Sequence, residues 1–187
     1  TGGANFSSCD SDLTHIYSDN GTYTFAIEAS DDDNGVTTAT ATATVVNVAP
    51  HSMVFTVSGQ TIYEGGSISI TSLSATDPGN DTLTYNIDWG DGVISTGASV
   101  GDAHTYADEG EYTIVATVDD GDGGTETLAL PVVVMDNGAV ITWDQTLTAT
   151  DEGTAVTITP TVSAGTNDTY QVRVDWGDGT AIVYESS

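Results

Sequence analysis

Hydrophobic and polar residues alternate along most of this chain with a period of two, which is the pattern of half-buried β-strands. The clearest case is residues 83–89, where every second side chain is apolar and the last is Trp89. The segment Gly90-Asp91-Gly92 follows directly. It is typical of a tight reversal, because glycine tolerates positive φ and aspartate bonds its own backbone. The pattern therefore predicts a strand, a turn and a returning strand.

The same alternation predicts strands throughout the chain, and no stretch has the periodicity and capping residues of a helix. Near the start of the chain we predict strands at residues 14–17, 22–30 and 36–46. Further along we predict seven short strands, at residues 53–58, 67–73, 82–89, 93–96, 104–106, 112–118 and 125–134. Short strands separated by turn signals are typical of an all-β fold, an antiparallel β-sandwich of the immunoglobulin-like kind.

An internal repeat organises these strands. Residues 15–23 and 104–112 share the pattern His-x-Tyr-x-Asp-x-Gly-x-Tyr at an offset of 89 residues. Trp89 and Trp176 lie 87 residues apart, and Glu64 and Glu152 lie 88 apart. These landmarks agree on a unit of about 88 residues. We therefore divide the chain into the C-terminal half of a unit (1–48), a complete unit (49–137) and the N-terminal half of a unit (138–187).

The two half-units leave two explanations open. Either a longer array of repeats continues beyond this segment, or the halves of different chains complete one sandwich in a head-to-tail assembly. The apolar face of each strand also predicts the core, and the two tryptophans of the repeat are assigned to it. The expected core residues are Ile68, Ile70, Trp89, Tyr112, Ile114, Ala116 and Val118, with Val156, Ile158 and Trp176 at the same places one unit later.

Composition narrows the possible functions. The chain carries 28 Asp and Glu residues against a single basic residue, Arg173, and its net charge is −27. This charge excludes nucleic-acid binding by phosphate neutralisation and argues against docking on anionic lipid. Self-repulsion of this size calls for compensating cations, from either a calcium-containing exterior or a hypersaline one. Cys9 is the only cysteine, which excludes an intrachain disulfide, and no apolar run is long enough to span a membrane.

The repeated motifs resemble the PKD (polycystic kidney disease) domain family. Asp88-Trp89-Gly90-Asp91-Gly92 and its copy at residues 175–179 resemble the family's Trp-Asp-Phe-Gly-Asp-Gly turn in shortened form. The His-x-Tyr segments at residues 15–23 and 104–112 resemble its second motif. The resemblance implies tandem immunoglobulin-like sandwiches in extracellular or cell-surface proteins, with structural or adhesive roles. Such modules also occur as accessory domains of secreted hydrolases.

Clusters of acidic residues in the turns are candidate calcium ligands, because Ca²⁺ takes six to eight oxygen ligands from carboxylates and carbonyls. The resemblance implies ligands at Asn47, Asp77 and Asp119 or Asp120, while the third unit lacks a counterpart of Asp77. Ordinary solvated surface turns are the alternative. The complete candidate set is Asn47, Asp77, Asp81, Asp119, Asp120 and Asp122, with Asp31 and Asp33 in the equivalent turn of the first unit.

Other motifs are weaker. Asp88 and Asp91 could be a glycosidase pair, but they recur in a turn with no implied pocket, so we predict no enzymatic activity. The histidines at 15 and 104 are expected to pack or to bond locally, and Tyr23 and Tyr112 are candidates for the tyrosine-corner hydrogen bond. Trp143 is either a platform for a sugar ring or a core or interface residue. Candidate glycosylation sequons begin at Asn5, Asn20, Asn80 and Asn167.

Together these features predict a non-enzymatic structural segment of an extracellular filament, surface layer or adhesin stalk. We expect calcium to stiffen it and head-to-tail assembly to extend it. Its partners would be copies of itself, neighbouring repeats of a longer chain, or cell-surface polysaccharide. The alternative function is an accessory carbohydrate- or matrix-binding module of a secreted enzyme. A third hypothesis, a spacer adapted to high salt, requires no calcium.

Overall fold

The computed structural model describes residues 14–143, 146 and 149–185. Within those ranges the chain is all-β, and it forms no helix, so none that could cross a membrane. Two compact units are distinguished. The first contains the described residues up to Ser52 together with Ala75–Thr84 and Val118–Glu126. The second contains Met53–Ser74, Tyr85–Thr117 and the described residues from Thr127 onward.

The predicted half-unit at residues 1–48 is called the first half-repeat below, and residues 49–137 and 138–187 are called the complete repeat and the third repeat. In the described part of the first half-repeat, strands β1 (Gly21–Ser30) and β2 (Val36–Val45) form a long hairpin. The two strands pair in antiparallel register from Gly21 with Val45 to Ser30 with Val36, which confirms the two strands predicted here. Residues 14–17 do not form the short strand that we predicted. Their counterpart in the complete repeat pairs with a strand that has no equivalent in the described part of the first half-repeat, so the ladder partner is missing.

The complete repeat contains eight strands arranged in two sheets. They are β3 (His51–Val57), β4 (Thr61–Tyr63), β5 (Ser67–Thr76), β6 (Thr84–Asp88), β7 (Ile94–Thr96), β8 (Ala103–Thr105), β9 (Gly110–Asp119) and β10 (Thr125–Met135). One sheet has the order β3-β5-β8 and the other has the order β4-β10-β9-β6-β7. All seven predicted strands of this repeat are present, and the immunoglobulin-like sandwich is confirmed.

The sequence pattern missed β4, and this strand also departs from the predicted antiparallel pairing. Residues Thr61–Tyr63 run parallel to the end of β10, with Ile62 opposite Val134. A strand of three residues is too short to establish an alternation of apolar and polar positions. β4 leads directly into Glu64 and Gly65, and the amide of Glu64 donates a hydrogen bond to the carbonyl of Met135 at 2.9 Å.

Side chains from both sheets fill the core. Ile68 and Ile70 of β5 are fully buried, as are Ile87 of β6 and Ile114 of β9, and the burial of each stabilises the fold by about 1.5–3 kcal/mol. Trp89 is also buried, and its indole N–H donates to the hydroxyl of Ser95 at 2.9 Å. The core predicted for the complete repeat is therefore confirmed, except that Tyr112 is half-buried.

The half-repeats expose positions that the complete repeat buries. Trp176 is 39% exposed where Trp89 is 1% exposed, and Phe25 is 42% exposed where Ile114 is fully buried. Val156 is exposed and lies outside any strand. Among the described residues of the third repeat there are two strand pairs, β11 (Val140–Thr142) with β12 (Thr161–Ser163) and β13 (Gln171–Asp175) with β14 (Ala181–Glu185). The assignment of Trp176 and Val156 to a core was wrong, because the described residues provide no opposing sheet there.

Candidate functional site

Acidic side chains from three separate segments converge within the first compact unit. Asp77, Asp81 and Asp120 each offer an oxygen within 4.8 Å of the others, and so do Asp19, Asp81 and Asp122. Because Asp81 belongs to both groups, we treat these five aspartates as one site and call them the first acidic cluster. It combines Asp19 of the first half-repeat with loops of the complete repeat.

The turn between β9 and β10 holds two of these aspartates. Asp120 Oδ1 accepts hydrogen bonds from the amides of Asp122 at 2.8 Å and Gly124 at 2.9 Å. The amide of Asp120 in turn donates to the carbonyl of Gly124 at 3.2 Å. This closed turn fixes the Asp120 carboxylate, which is only 4% exposed.

Asn47, in the linker before β3, contacts the same carboxylate. Its side-chain amide donates a hydrogen bond of 2.6 Å to Asp120 Oδ2. This hydrogen bond lowers the pKa of Asp120, with support from the amides of the turn, although burial opposes the shift. Asp120 is therefore held ionised at neutral pH. Asn47 and Asp120, both predicted as ligands, are thus brought together.

The loop after β5 contributes carboxylate oxygens that lack partners. Asp77 Oδ1 accepts a hydrogen bond from the amide of Gly79 at 2.7 Å. The other oxygen of Asp77 and Oδ2 of Asp81 are both buried without a hydrogen-bond partner. Burial raises the pKa of Asp81, and the surrounding aspartates raise it further. Buried carboxylate oxygens that face one another are unfavourable unless a cation or a proton satisfies them.

The donor set of the first acidic cluster fits a calcium ion. All of its potential ligand atoms are carboxylate oxygens. Within each group these oxygens lie up to 4.8 Å apart, which is close to the about 4.6–5.2 Å that separates opposite ligands of Ca²⁺. Asn47, Asp77, Asp81, Asp120 and Asp122 of the predicted set lie in or beside this cluster. A bound ion would neutralise the facing charges and cross-link the two repeats, and carboxylate ligands would give it up on chelation.

Asp19 belongs to the cluster although the sequence reasoning missed it. Its position is set by Tyr23, whose hydroxyl donates to the carbonyl of Asp19 at 3.0 Å. Tyr112 makes the same contact with Asp108 at 3.1 Å, so the predicted tyrosine corner is confirmed in both repeats. The recurrence of Asp at this position of the repeated motif was the signal that could have identified Asp19.

The remaining predicted ligands are Asp119, Asp31 and Asp33. None of them belongs to a group of described residues that could hold a metal ion. Asp119 Oδ1 accepts a hydrogen bond from the amide of Gly121 at 2.7 Å. Asp31 forms the same turn as Asp120, since its Oδ1 accepts from the amides of Asp33 at 3.1 Å and Gly35 at 2.6 Å. Asp31 and Asp33 are exposed, however, and no described residue stands beside them as Asn47 stands beside Asp120.

Asp88 and Asp91 hold the Trp-Gly-Asp-Gly turn. Asp88 accepts from the amide of Gly90 at 2.9 Å, and Asp91 accepts from the amide of Val93 at 3.1 Å. Asp91 also lies 2.6 Å from Nε2 of His104, which stacks on Trp89 with the ring centroids 5.1 Å apart. These contacts give both carboxylates and His104 structural roles in the turn.

The other candidate residues have mixed environments. Asn80 is exposed, Asn20 is half-buried, and Asn167 is exposed but donates a hydrogen bond to Asp108 at 2.9 Å. Asn5 and Cys9 lie outside the described residues. Trp143 is 48% exposed and lines a groove of the third repeat together with Trp176 and Ile141. Its neighbours in this groove are exposed apolar side chains, Trp176 at 39% and Ile141 at 59%.

The fold and this cluster define an immunoglobulin-like β-sandwich with acidic loops, and comparison with known proteins gives the family. Residues 47–134 match the family model of the PKD domain. The chain is 34% identical over 90 residues to the microbial collagenase of Vibrio alginolyticus, which covers 48% of this chain and 11% of the collagenase. Residues 47–134 are a PKD domain, as the two repeated motifs predicted.

Solved structures also resemble this chain. The PKD domain of an M14-like peptidase from Thermoplasmatales archaeon SCGC AB-540-F20 is 26% identical, with a TM-score of 0.42. That match covers 48% of this chain and 98% of the solved one. The PKD1 domain of the Vibrio cholerae metalloprotease PrtV is 25% identical with a TM-score of 0.37, covering 46% of this chain and 98% of that one.

Proposed function

We propose that this chain is a non-catalytic accessory segment of a larger secreted protein, in which calcium at the first acidic cluster stiffens the connection between successive repeats. Similarity to a 90-residue part of a microbial collagenase supports an accessory role, and it favours that role over a filament or surface layer. The matched segment is a small part of that enzyme, 11% of its length. An extracellular location follows from the same proposal and would provide calcium.

The observation that carries the proposal is the pair of unpartnered oxygens on Asp77 and Asp81. Both aspartates belong to a cluster that also contains Asp19 from the preceding repeat. The sequence contains one Lys or Arg residue in 187, so the protein has almost no side-chain cations with which to neutralise them. A divalent cation from solution is the simplest neutralising group, and it would bind the two repeats together.

Limited proteolysis tests this stiffening. Proteinase K should cleave near the linker residues 46–49 in EGTA and be slowed there by CaCl₂, because local opening controls cleavage. Asp81→Asn should lose the protection. The matched control is Asp32→Asn, which removes one exposed aspartate outside the cluster and should retain it. Equal cleavage of wild type in CaCl₂ and EGTA would contradict the proposal.

The target of the accessory segment, if it has one, is a separate question with a direct test. The collagenase relative suggests a matrix protein, and cell-surface polysaccharide is the other class of partner expected from the sequence. Co-sedimentation with insoluble collagen and with cellulose, each in CaCl₂, distinguishes them. Retention on one solid would assign a binding role, and retention on neither would leave a spacer role.

A second candidate function, head-to-tail assembly, is favoured by the exposed faces of the half-repeats. Phe25 and Ile27 on β1 and Trp176 after β13 are exposed, whereas their counterparts in the complete repeat are buried. Exposed apolar faces of this kind often mark interaction sites. Light scattering of the 187-residue chain should then give concentration-dependent oligomers that Trp176→Asp abolishes. A monomer at all concentrations would exclude this function.

A further inference from the structure

Four acidic side chains converge in the second compact unit. Glu64, Asp108, Glu109 and Asp168 each offer an oxygen within 4.8 Å of the others. Glu64, Asp108 and Glu109 belong to the complete repeat, and Asp168 belongs to the third repeat. We call these four residues the second acidic cluster. The sequence reasoning did not assign any of them to a metal.

Glu64 points to a ligand independently of the clustering. Its side chain is only 4% exposed, and its Oε2 has no hydrogen-bond partner. Oε1 accepts from the amide of Asn137 at 3.1 Å, and the Asn137 side chain donates to the Glu64 carbonyl at 2.8 Å. These contacts fix the residue and leave Oε2 as the unsatisfied oxygen. An isolated buried carboxylate oxygen is strongly unfavourable without a partner.

A loop of the third repeat approaches this carboxylate closely. The amide of Gly165 donates to Asp168 Oδ2 at 2.8 Å, and the amide of Asp168 donates back to the Gly165 carbonyl at 3.3 Å. A Cβ on Gly165 would overlap the carboxylate of Glu64, so a side chain at this position would displace that carboxylate. Asn167 reaches Asp108 from the same loop.

The carboxylates of the second acidic cluster repel one another. A backbone hydrogen bond lowers the pKa of Glu109, but its hydrogen bond with Asp108, burial and the charges on Asp108 and Asp168 outweigh this effect and raise it. The only Lys or Arg of the sequence, Arg173, is exposed on β13. Neutralisation must therefore come from solution or from protonation.

Two of the four residues of the second acidic cluster correspond in sequence to residues of the first, one repeat later. Asp108 stands 89 residues after Asp19, and Asp168 stands 87 residues after Asp81. Asn137 follows Asn47 by 90 residues; Asn47 binds the buried carboxylate of its cluster through its side-chain amide and Asn137 through its backbone amide. Glu64 has no counterpart in the first acidic cluster, and it comes from the earlier of the two repeats, whereas Asp120 comes from the later.

We propose that Glu64, Asp108, Glu109 and Asp168 form a second site for a divalent cation of the Ca²⁺ class, which ties the complete repeat to the third. The donors are all oxygens at the spacing of a calcium shell, and a cleft of about 330 Å³ beside Glu64 and Gly165 admits the waters that complete the coordination. The proposal does not depend on whether the first acidic cluster binds calcium.

Equilibrium dialysis of radioactive Ca²⁺ against the 187-residue chain tests the site. Glu64→Gln should bind one ion fewer per chain than wild type, and Asp168→Asn should weaken the same ion by at least about tenfold. Glu111→Gln, which removes one exposed glutamate from β9, is the matched control and should bind as wild type does. Unchanged binding in both Glu64→Gln and Asp168→Asn would overturn the proposal.

Melting temperatures show whether Glu64 is a metal ligand or only stabilises the fold through its hydrogen bonds. Glutamine keeps an acceptor for Asn137, so Glu64→Gln should melt at or above the wild-type temperature in EGTA and below it in CaCl₂. An equal loss in both buffers would overturn the proposal. Asp81→Asn tests the two sites independently, because it should remove the ion of the first acidic cluster and leave the ion of the second acidic cluster in place.

Discussion

The side-chain amide of Asn47 donates a 2.6 Å hydrogen bond to the buried carboxylate of Asp120, across 73 residues of sequence. The linker residue Asn137 contacts the buried carboxylate of Glu64 differently: its backbone amide donates to Oε1 at 3.1 Å, and its side-chain amide donates to the Glu64 carbonyl at 2.8 Å. Each linker asparagine therefore fixes the one acidic side chain of its cluster that water barely reaches. This geometry makes the linkers part of the two acidic clusters.

Replacing Asn47 should weaken calcium binding without changing the acidic ligands. Asn47→Ala removes the hydrogen bond that orients Asp120, and loss of such a supporting contact typically costs about 10–100-fold in metal affinity. Titration calorimetry with CaCl₂ measures the change. Asn80→Ala, in the exposed part of the loop after β5, should retain wild-type affinity. Equal affinities for Asn47→Ala and wild type would contradict the orienting role.

In EGTA, where calcium is removed, Asp81 should determine part of the pH dependence of the free energy of unfolding. Because the folded pKa of Asp81 is raised, its contribution to the free energy of unfolding is present below the ordinary pKa and lost as the pH rises through the raised value. Asp120 has a lowered pKa, so its contribution is present above the ordinary value and lost as the pH falls through the lowered one.

Urea unfolding in EGTA at several pH values measures this balance. Asp81→Asn should remove the loss of stability that accompanies a rise in pH above 3.8, the ordinary pKa of this group, and Asp32→Asn should leave it. In CaCl₂ the dependence should reverse, because the ion binds the ionised carboxylates. A wild-type profile in Asp81→Asn would show that repulsion in the cluster does not affect stability.

Gly90 and Gly92 should differ sharply in their tolerance of alanine. Both have positive φ, +85° and +94°, which costs a residue with a Cβ about 1 kcal/mol. A Cβ on Gly90 would also lie 2.6 Å from the carbonyl oxygen of Thr113, whereas one on Gly92 meets nothing within 4 Å. Gly90→Ala should therefore destabilise by at least about 2 kcal/mol more than Gly92→Ala.

Gly177 provides the matched comparison in the third repeat. It corresponds to Gly90 and has φ of +80°, but a Cβ there meets nothing within 4 Å. Denaturant unfolding should rank Gly177→Ala with Gly92→Ala. Similar losses for Gly90→Ala and Gly177→Ala would mean that the close approach to Thr113 has no energetic role.

Tyr106 should control part of the alkaline unfolding. Burial, with the nearby charges of Asp91 and Asp88, raises its pKa from 10.0 to about 12, and its hydroxyl donates to the Trp89 carbonyl at 2.8 Å. The stability that this tyrosine contributes is present below pH 10 and is lost between pH 10 and about 12.

Tyr106→Phe should cost about 1–3 kcal/mol at neutral pH and should flatten the loss of stability above pH 10. Tyr63→Phe is the control, since Tyr63 is 55% exposed on β4. Urea unfolding between pH 8 and pH 12 checks both. An unchanged alkaline slope in Tyr106→Phe would contradict the assigned role.

Local sequence predicted the complete repeat well because its strands have partners. The alternation around Ile87 and Ile114 identified buried strands, and the Gly-Asp-Gly turn marked the reversal. The same local pattern misassigned Trp176 and residues 14–17, because burial and strand pairing depend on an opposing segment that local sequence does not reveal. β4 was missed because three residues carry too little pattern.

The first acidic cluster was predictable in part. Asp77 and Asp120 lie in turn segments with other acidic residues, so the sequence identified them as candidate calcium ligands. Asp19 and Glu64 were not assigned as ligands, since each lies beside a structural motif and comes near the other carboxylates only after the repeats pack. Their recurrence at offsets close to the repeat length was the available signal.

Thermal unfolding with and without calcium tests the central claim most directly. The wild-type chain is melted in CaCl₂ and in EGTA, with KCl added so that ionic strength is the same. A ligand at a hundred times its Kd stabilises the folded state by about 2.7 kcal/mol, so the melting temperature should be several degrees higher in CaCl₂. Identical melting temperatures in the two buffers would contradict a structural role for calcium.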